Sequence, residues 1–137
     1  MKSLNTIRKL HKYKMEELIK NLSVIELELD SVKNKLNELI ETQNSEIENF
    51  SASDFSFTLE SFISYIKEEQ NNCNENIKRL EDSIEKTNTM IHDEFSELKK
   101  IEHIIMLKQK KEKEKINKME SKELDENTIV RHNRTFS

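Results

Sequence analysis

The stretch Met15-Glu-Glu-Leu18-Ile-Lys-Asn-Leu22-Ser-Val-Ile25-Glu-Leu-Glu-Leu29-Asp-Ser-Val32-Lys-Asn-Lys-Leu36-Asn-Glu-Leu39 decides the fold. Met15, Leu22, Leu29 and Leu36 fall on heptad position a, and Leu18, Ile25, Val32 and Leu39 on d. Four consecutive heptads mark a coiled-coil seam, because a 3.5-residue repeat keeps one apolar stripe facing a partner helix. Before Met15 the phase slips. Leu4 and Ile7 join the seam through an eleven-residue step from Leu4 to Met15, with His11 between, and such a step relaxes the left-handed supercoil. The pattern predicts a first helix over residues 3–49, about 70 Å long at 1.5 Å per residue.

A second series begins near Leu59. Ile63, Gln70, Ile77, Ile84, Ile91, Leu98 and Ile105 take a; Leu59, Ile66, Cys73, Leu80, Thr87, Glu94 and Ile101 take d. This predicts a second helix over 56–126. Residues 50–55 form the loop, in a segment rich in Ser and Asp, whose side chains compete for backbone hydrogen bonds and favour caps and turns. So short a connection makes the helices antiparallel neighbours. Two registers bring a layers onto d layers, with partner numbers summing to 102 or to 109. The first is favoured because it sets Arg8, the one basic a residue of the first series, against Glu94, the one acidic d residue of the second. In either register the second helix outruns the first, leaving a helical overhang from about residue 105 and a disordered tail over 127–137. The expected fold is all-α: one domain over residues 1–137, an antiparallel two-helix coiled-coil hairpin with a C-terminal helical overhang.

Composition agrees. The chain has 137 residues with no Gly, Pro or Trp, where average usage would supply roughly 16 Gly and Pro. A chain without them is a poor candidate for the turns of a β-sandwich or a doubly wound sheet. It contains no glycine-rich phosphate loop, dinucleotide fingerprint or G-x-S-x-G elbow. Charged residues make up 36% and hydrophobic ones 34%, a balance shared by disordered chains and long helices; the heptads decide for helix. The longest apolar run, Ile104 to Leu107, is far too short to span a membrane. The basic start, with no acid before Glu16, resembles a targeting presequence only in charge, since the heptads run straight out of it.

Charge is sorted along the chain. Residues 1–20 carry +4, 21–98 carry −12, 99–122 carry +5 and the remaining tail −1, hiding a strong separation behind a net −4. In a hairpin the two basic segments lie together, opposite an acidic loop end.

No catalytic constellation stands out, and no enzyme activity is expected. A basic segment before leucine heptads suggests a DNA-reading zipper, but residues 1–20 hold only Arg8 where such a helix needs several Arg and a central Asn, so no nucleic-acid partner is expected. None of the four His follows a Glu by three residues, as a di-metal bundle site requires. Cys73, on the seam, reads as a small buried hydrophobe. No cofactor or metal is expected. Gln43 and Gln70 on a positions either fix register or mark looser packing near the loop. Phe50, Phe55, Phe57 and Phe62 cluster around the loop, as a plug over the hairpin's open end or as an aromatic docking patch. Met106 and Leu107 point off the seam and favour a partner surface. The Lys run from Lys108 to Lys118 is either a solvated face or a guide toward an acidic partner.

The run Leu98-Lys-Lys-Ile-Glu-His-Ile-Ile-Met-Leu-Lys108, leading into alternating Lys and Glu and then Glu120-Ser-Lys122-Glu-Leu124-Asp125-Glu126, resembles the C-terminal half of the flagellar type III export family FliJ. Phe57-Thr-Leu-Glu-Ser-Phe-Ile-Ser-Tyr-Ile66 resembles the start of that family's second helix. The resemblance implies a cytoplasmic, non-catalytic export component, peripherally associated with the inner membrane and without direct membrane insertion. It implies a stalk within the export ATPase ring, with the cytoplasmic domain of the export gate protein and the export chaperones as further partners. The ATPase-facing residues would be Lys108, Lys110, Lys111, Lys113, Lys115, Leu124, Asp125 and Glu126. Phe50, Phe55 and Phe57 would lie at the gate-proximal loop. The alternatives are the equivalent stalk of a virulence secretion system, a structural coiled coil that self-assembles through the overhang, and a hairpin that holds unfolded export substrates by its loop aromatics.

Overall fold

The computed structural model describes residues 2–49 and 57–136, with side-chain surroundings defined over 2–49 and 58–132. Two helices account for all of them: α1 (Lys2–Asn49) and α2 (Phe57–Phe136). They pack against each other as an antiparallel two-helix coiled-coil hairpin. Among the described residues there is no strand, no cis peptide and no positive φ. With no Gly or Pro in either helix, nothing interrupts the i→i−4 hydrogen-bond ladders.

The chain divides into two compact units, and both helices contribute to each. The unit Lys14–Asp93 carries the heptads that decide the fold. Its core is the d row of α2, with Leu59, Ile66, Cys73, Leu80 and Thr87 buried, and Leu29 of α1 among them. The a row of α2 at Ile63, Gln70, Ile77, Ile84 and Ile91 is half-buried, as are most a and d residues of α1. A pair of helices encloses only one seam, so each layer keeps an edge toward water. Thr87, the polar member of the buried row, donates its hydroxyl to the Ser83 carbonyl at 2.8 Å. No buried side-chain nitrogen or oxygen lacks a partner among the described residues.

Polar contacts locate the register in this unit. Gln70 donates from Nε2 to Gln43 Oε1 at 2.8 Å, and Lys35 meets Glu69 at 3.7 Å. With layers summing to 109, Gln43 stands opposite Ile66 and Gln70 opposite Leu39. The two amides are then neighbours on one diagonal, about 6 Å apart along the axis. With layers summing to 102 they would be about 16 Å apart, beyond the reach of two Gln side chains. The register favoured by the sequence is therefore replaced here by the 109 alternative.

The second unit joins residues 1–13 to 94–137. Leu98, Ile101 and Ile105 are buried in it. Glu94, expected opposite Arg8, instead pairs through Oε2 with Nδ1 of His11, both partly buried. His11 and Glu94 both occupy d positions, so two polar side chains satisfy each other inside the seam at a cost of apolar contact. A further difference lies at the C-terminus. The tail expected to be disordered from 127 is helical, because α2 continues to Phe136. Thr128 donates its hydroxyl to the Leu124 carbonyl at 2.8 Å, and no residue there forces the backbone out of helical geometry.

Candidate functional site

The buried seam of the second unit ends at Ile105. Every described residue from Met106 to His132 is exposed, and all of them remain in α2. This is a helix presented without a covering face, about 40 Å long at 1.5 Å per residue. It carries Met106, Leu107, Ile116, Met119, Leu124, Ile129 and Val130 as exposed large apolar side chains. These side chains are spread round the helix, with Ile116, Met119 and Val130 nearest the continuation of the seam.

The five Lys named from the sequence lie at the start of this segment, and all are exposed. At 100° per residue, Lys108, Lys111 and Lys115 share one flank, while Lys110 and Lys113 lie on the other. Between the flanks runs the continuation of the seam stripe. Along the Lys stretch that line passes through Gln109 and Glu112, with Ile105 and Ile116 at its two ends, so the Lys residues are divided between two flanks and form no single patch. A shallow depression lined by Ile104, Leu107, Lys108, Lys110, Lys111 and Glu114 lies at this level on the side of α2 away from the seam. The same unit holds Lys2, Arg8, Lys9 and Lys12 of α1, so basic side chains from both helices gather in it.

Leu124, Asp125 and Glu126 are also exposed, on the later part of the helix. Of the loop aromatics, Phe50 and Phe55 lie outside the described residues, and Phe57 opens α2 with its side chain likewise outside them. Phe62 is half-buried.

Sequence reading passed over the His11–Glu94 pair, although two polar residues on d positions of facing helices were the available signal. It also left Ile116, Met119 and Val130 unnamed. They sit on the seam face once the stripe is followed at 3.6 residues per turn past Ile105. Cys73 is free and buried. Among the described residues no group of His, Cys, Asp and Glu is arranged to hold a metal ion, and no helix is long and apolar enough to cross a membrane.

A family profile described as "Flagellar FliJ protein" matches residues 1–136. The chain belongs to the flagellar FliJ family. Membership supports a component of the flagellar export apparatus, and it fits a chain without catalytic work of its own. No curated protein and no solved structure matches the chain.

Proposed function

We propose that this FliJ-family chain is a non-catalytic stalk of the flagellar export apparatus, which docks its uncovered α2 segment in the export ATPase ring. The observation that carries the reading is the long exposed stretch of α2 beyond Ile105, basic at its start and continuous with the packed hairpin. A continuous helix entering a ring needs side chains that can meet the inner surface on every side. The Lys residues on both flanks, with exposed Leu107 before them and Ile116 after them, supply that. Lys108, Lys110, Lys111, Lys113 and Lys115 steer toward acidic subunit surfaces, and Leu124, Asp125 and Glu126 follow further along. The loop end, with Phe50, Phe55 and Phe57, is the side that would meet the cytoplasmic domain of the export gate, and the chaperones would be met on the same apparatus. The chain would then work in the cytoplasm, held at the inner membrane through its partners. The flagellar description of the family favours this system over a virulence secretion stalk.

Replacing the five Lys by Glu tests the docking. Pull-down with the export ATPase and stimulation of its turnover should both fall at least tenfold. Unchanged ring binding in a variant of unaltered helix content would refute the basic-segment mechanism. Replacing Phe50, Phe55 and Phe57 by Ser should weaken gate binding while leaving ring binding intact.

A further inference from the structure

We propose that the side of α1 turned away from α2 pairs antiparallel with the same side of a second copy of this chain, as a weak two-fold dimer. This goes beyond ring docking and uses none of the residues beyond Ile105, so it is measured with no ATPase present.

α1 is one unbroken helix from Lys2 to Asn49, so periodicity alone sets which side of it a residue occupies. The seam takes heptad positions a and d, and the outward side carries c and f. From residue 10 to residue 27 those outward positions read Leu10, Tyr13, Glu17, Lys20, Val24 and Leu27. The four large apolar side chains among them are 50%, 60%, 58% and 69% exposed, in that order. On α2 the same positions from Tyr65 to Lys100 number eleven and hold one large apolar residue, Tyr65. That is how a solvated outer face reads. Four apolar residues in six on α1 mark a face that another surface covers.

The order of the six residues selects the occupant. When a second α1 lies antiparallel, centred between Leu18 and Ile19, Leu10 meets Leu27, Tyr13 meets Val24 and Glu17 meets Lys20, each twice. Positions c and f alternate across this interface as a and d do across an antiparallel seam. Glu17 and Lys20 already pair along the helix at 3.5 Å, and the second copy extends that pair to four charges of alternating sign. The flanks agree. Lys14 comes beside Glu28 on one and Lys9 beside Asp30 on the other, while Glu16 approaches its own copy across the two-fold axis. A parallel pair in register would instead set Glu17 on Glu17 and Lys20 on Lys20. A second antiparallel copy carries the reversed order by symmetry, which is why it is the occupant chosen here. α2 lies on the far side of α1 from this face, so neither copy's second helix enters the interface. The paired stretch is about 26 Å long. So short an interface, with two polar layers at its centre, gives a dissociation constant on the order of 100 µM.

The experiment is sedimentation equilibrium of the full chain in reducing buffer, up to about 500 µM. Wild type should show a monomer–dimer equilibrium. Val24→Glu with Leu27→Glu should abolish it while circular dichroism shows the helix content retained. Two single charge variants give an independent readout. Glu17→Lys alone and Lys20→Glu alone should each be monomeric, because the central layers then bring like charges together. Mixed, they should form a one-to-one heterodimer at least tenfold tighter than either variant with itself. A wild-type chain that stays monomeric at every concentration overturns the proposal. So does a dimer that survives the Val24/Leu27 variant, or a mixture that fails to associate.

Discussion

The Gln43–Gln70 pair offers a sharp test of the packing. The perturbation is Gln43→Leu, Gln70→Leu and the double replacement. The bond is 2.8 Å long, between two half-buried amides. A neutral hydrogen bond of this kind contributes about 1 kcal/mol net. Fully burying a Leu contributes about 1.5–3 kcal/mol, so a half-buried a position yields about 1 kcal/mol. Each single replacement loses the bond and gains one Leu contact, which leaves stability within about 0.5 kcal/mol of wild type. The double replacement loses the same bond once and gains two Leu contacts, so it should be about 1 kcal/mol more stable. The coupling in the double-mutant cycle is therefore about 1 kcal/mol, or a rise in Tm of a few degrees for the double variant alone. Urea unfolding followed by circular dichroism at 222 nm measures all four chains. Additivity within about 0.3 kcal/mol would mean that the amides do not interact, and the register drawn from them would fall with them.

The same register places Leu36 opposite Cys73, so Leu36→Cys should cross-link to Cys73 under mild oxidation, closing a loop that stabilises the hairpin by roughly 4 kcal/mol. Leu29→Cys, its counterpart in the 102 register, should cross-link far more slowly, and the reverse order on non-reducing gels would refute the assignment. Thr87→Leu replaces a buried seam hydroxyl that bonds only its own helix, and should stabilise by about 1–2 kcal/mol in urea unfolding. At low micromolar concentration, amide exchange should be protected through Ile105 and rapid beyond it; equal protection on both sides would contradict an uncovered segment.

The heptads of α1 and the d row of α2 were legible because a two-helix seam is the simplest destination for that pattern, and Leu59, Ile66, Cys73 and Leu80 are buried as their spacing requires. The register was not legible. Apolar layers repeat every seven residues and tolerate a slip of one heptad, so only side chains with directional bonds discriminate. Charge alone favours the Arg8–Glu94 pair, whereas the fold gives Glu94 to His11 and lets Gln43 and Gln70 find each other. The helical tail was missed because Asn127 and Thr128 are weak helix formers, and their preference gives way when nothing downstream breaks the ladder. The uncovered segment was legible as an overhang.

Two of the polar contacts across the helices differ widely in sequence separation: 27 residues for Gln43–Gln70 and 83 for His11–Glu94. Closing the wider span directly costs about 1 kcal/mol more in chain entropy than closing the narrower one. Zipping outward from the loop removes that difference one layer at a time. Zipping in this order leaves the unit of residues 1–13 and 94–137 to form last. During synthesis, Gln70 is available to Gln43 well before Glu94 leaves the ribosome. The surface that other molecules would meet is the most recently assembled and the soonest to reopen, so docking there can complete a folding reaction that the hairpin begins by itself.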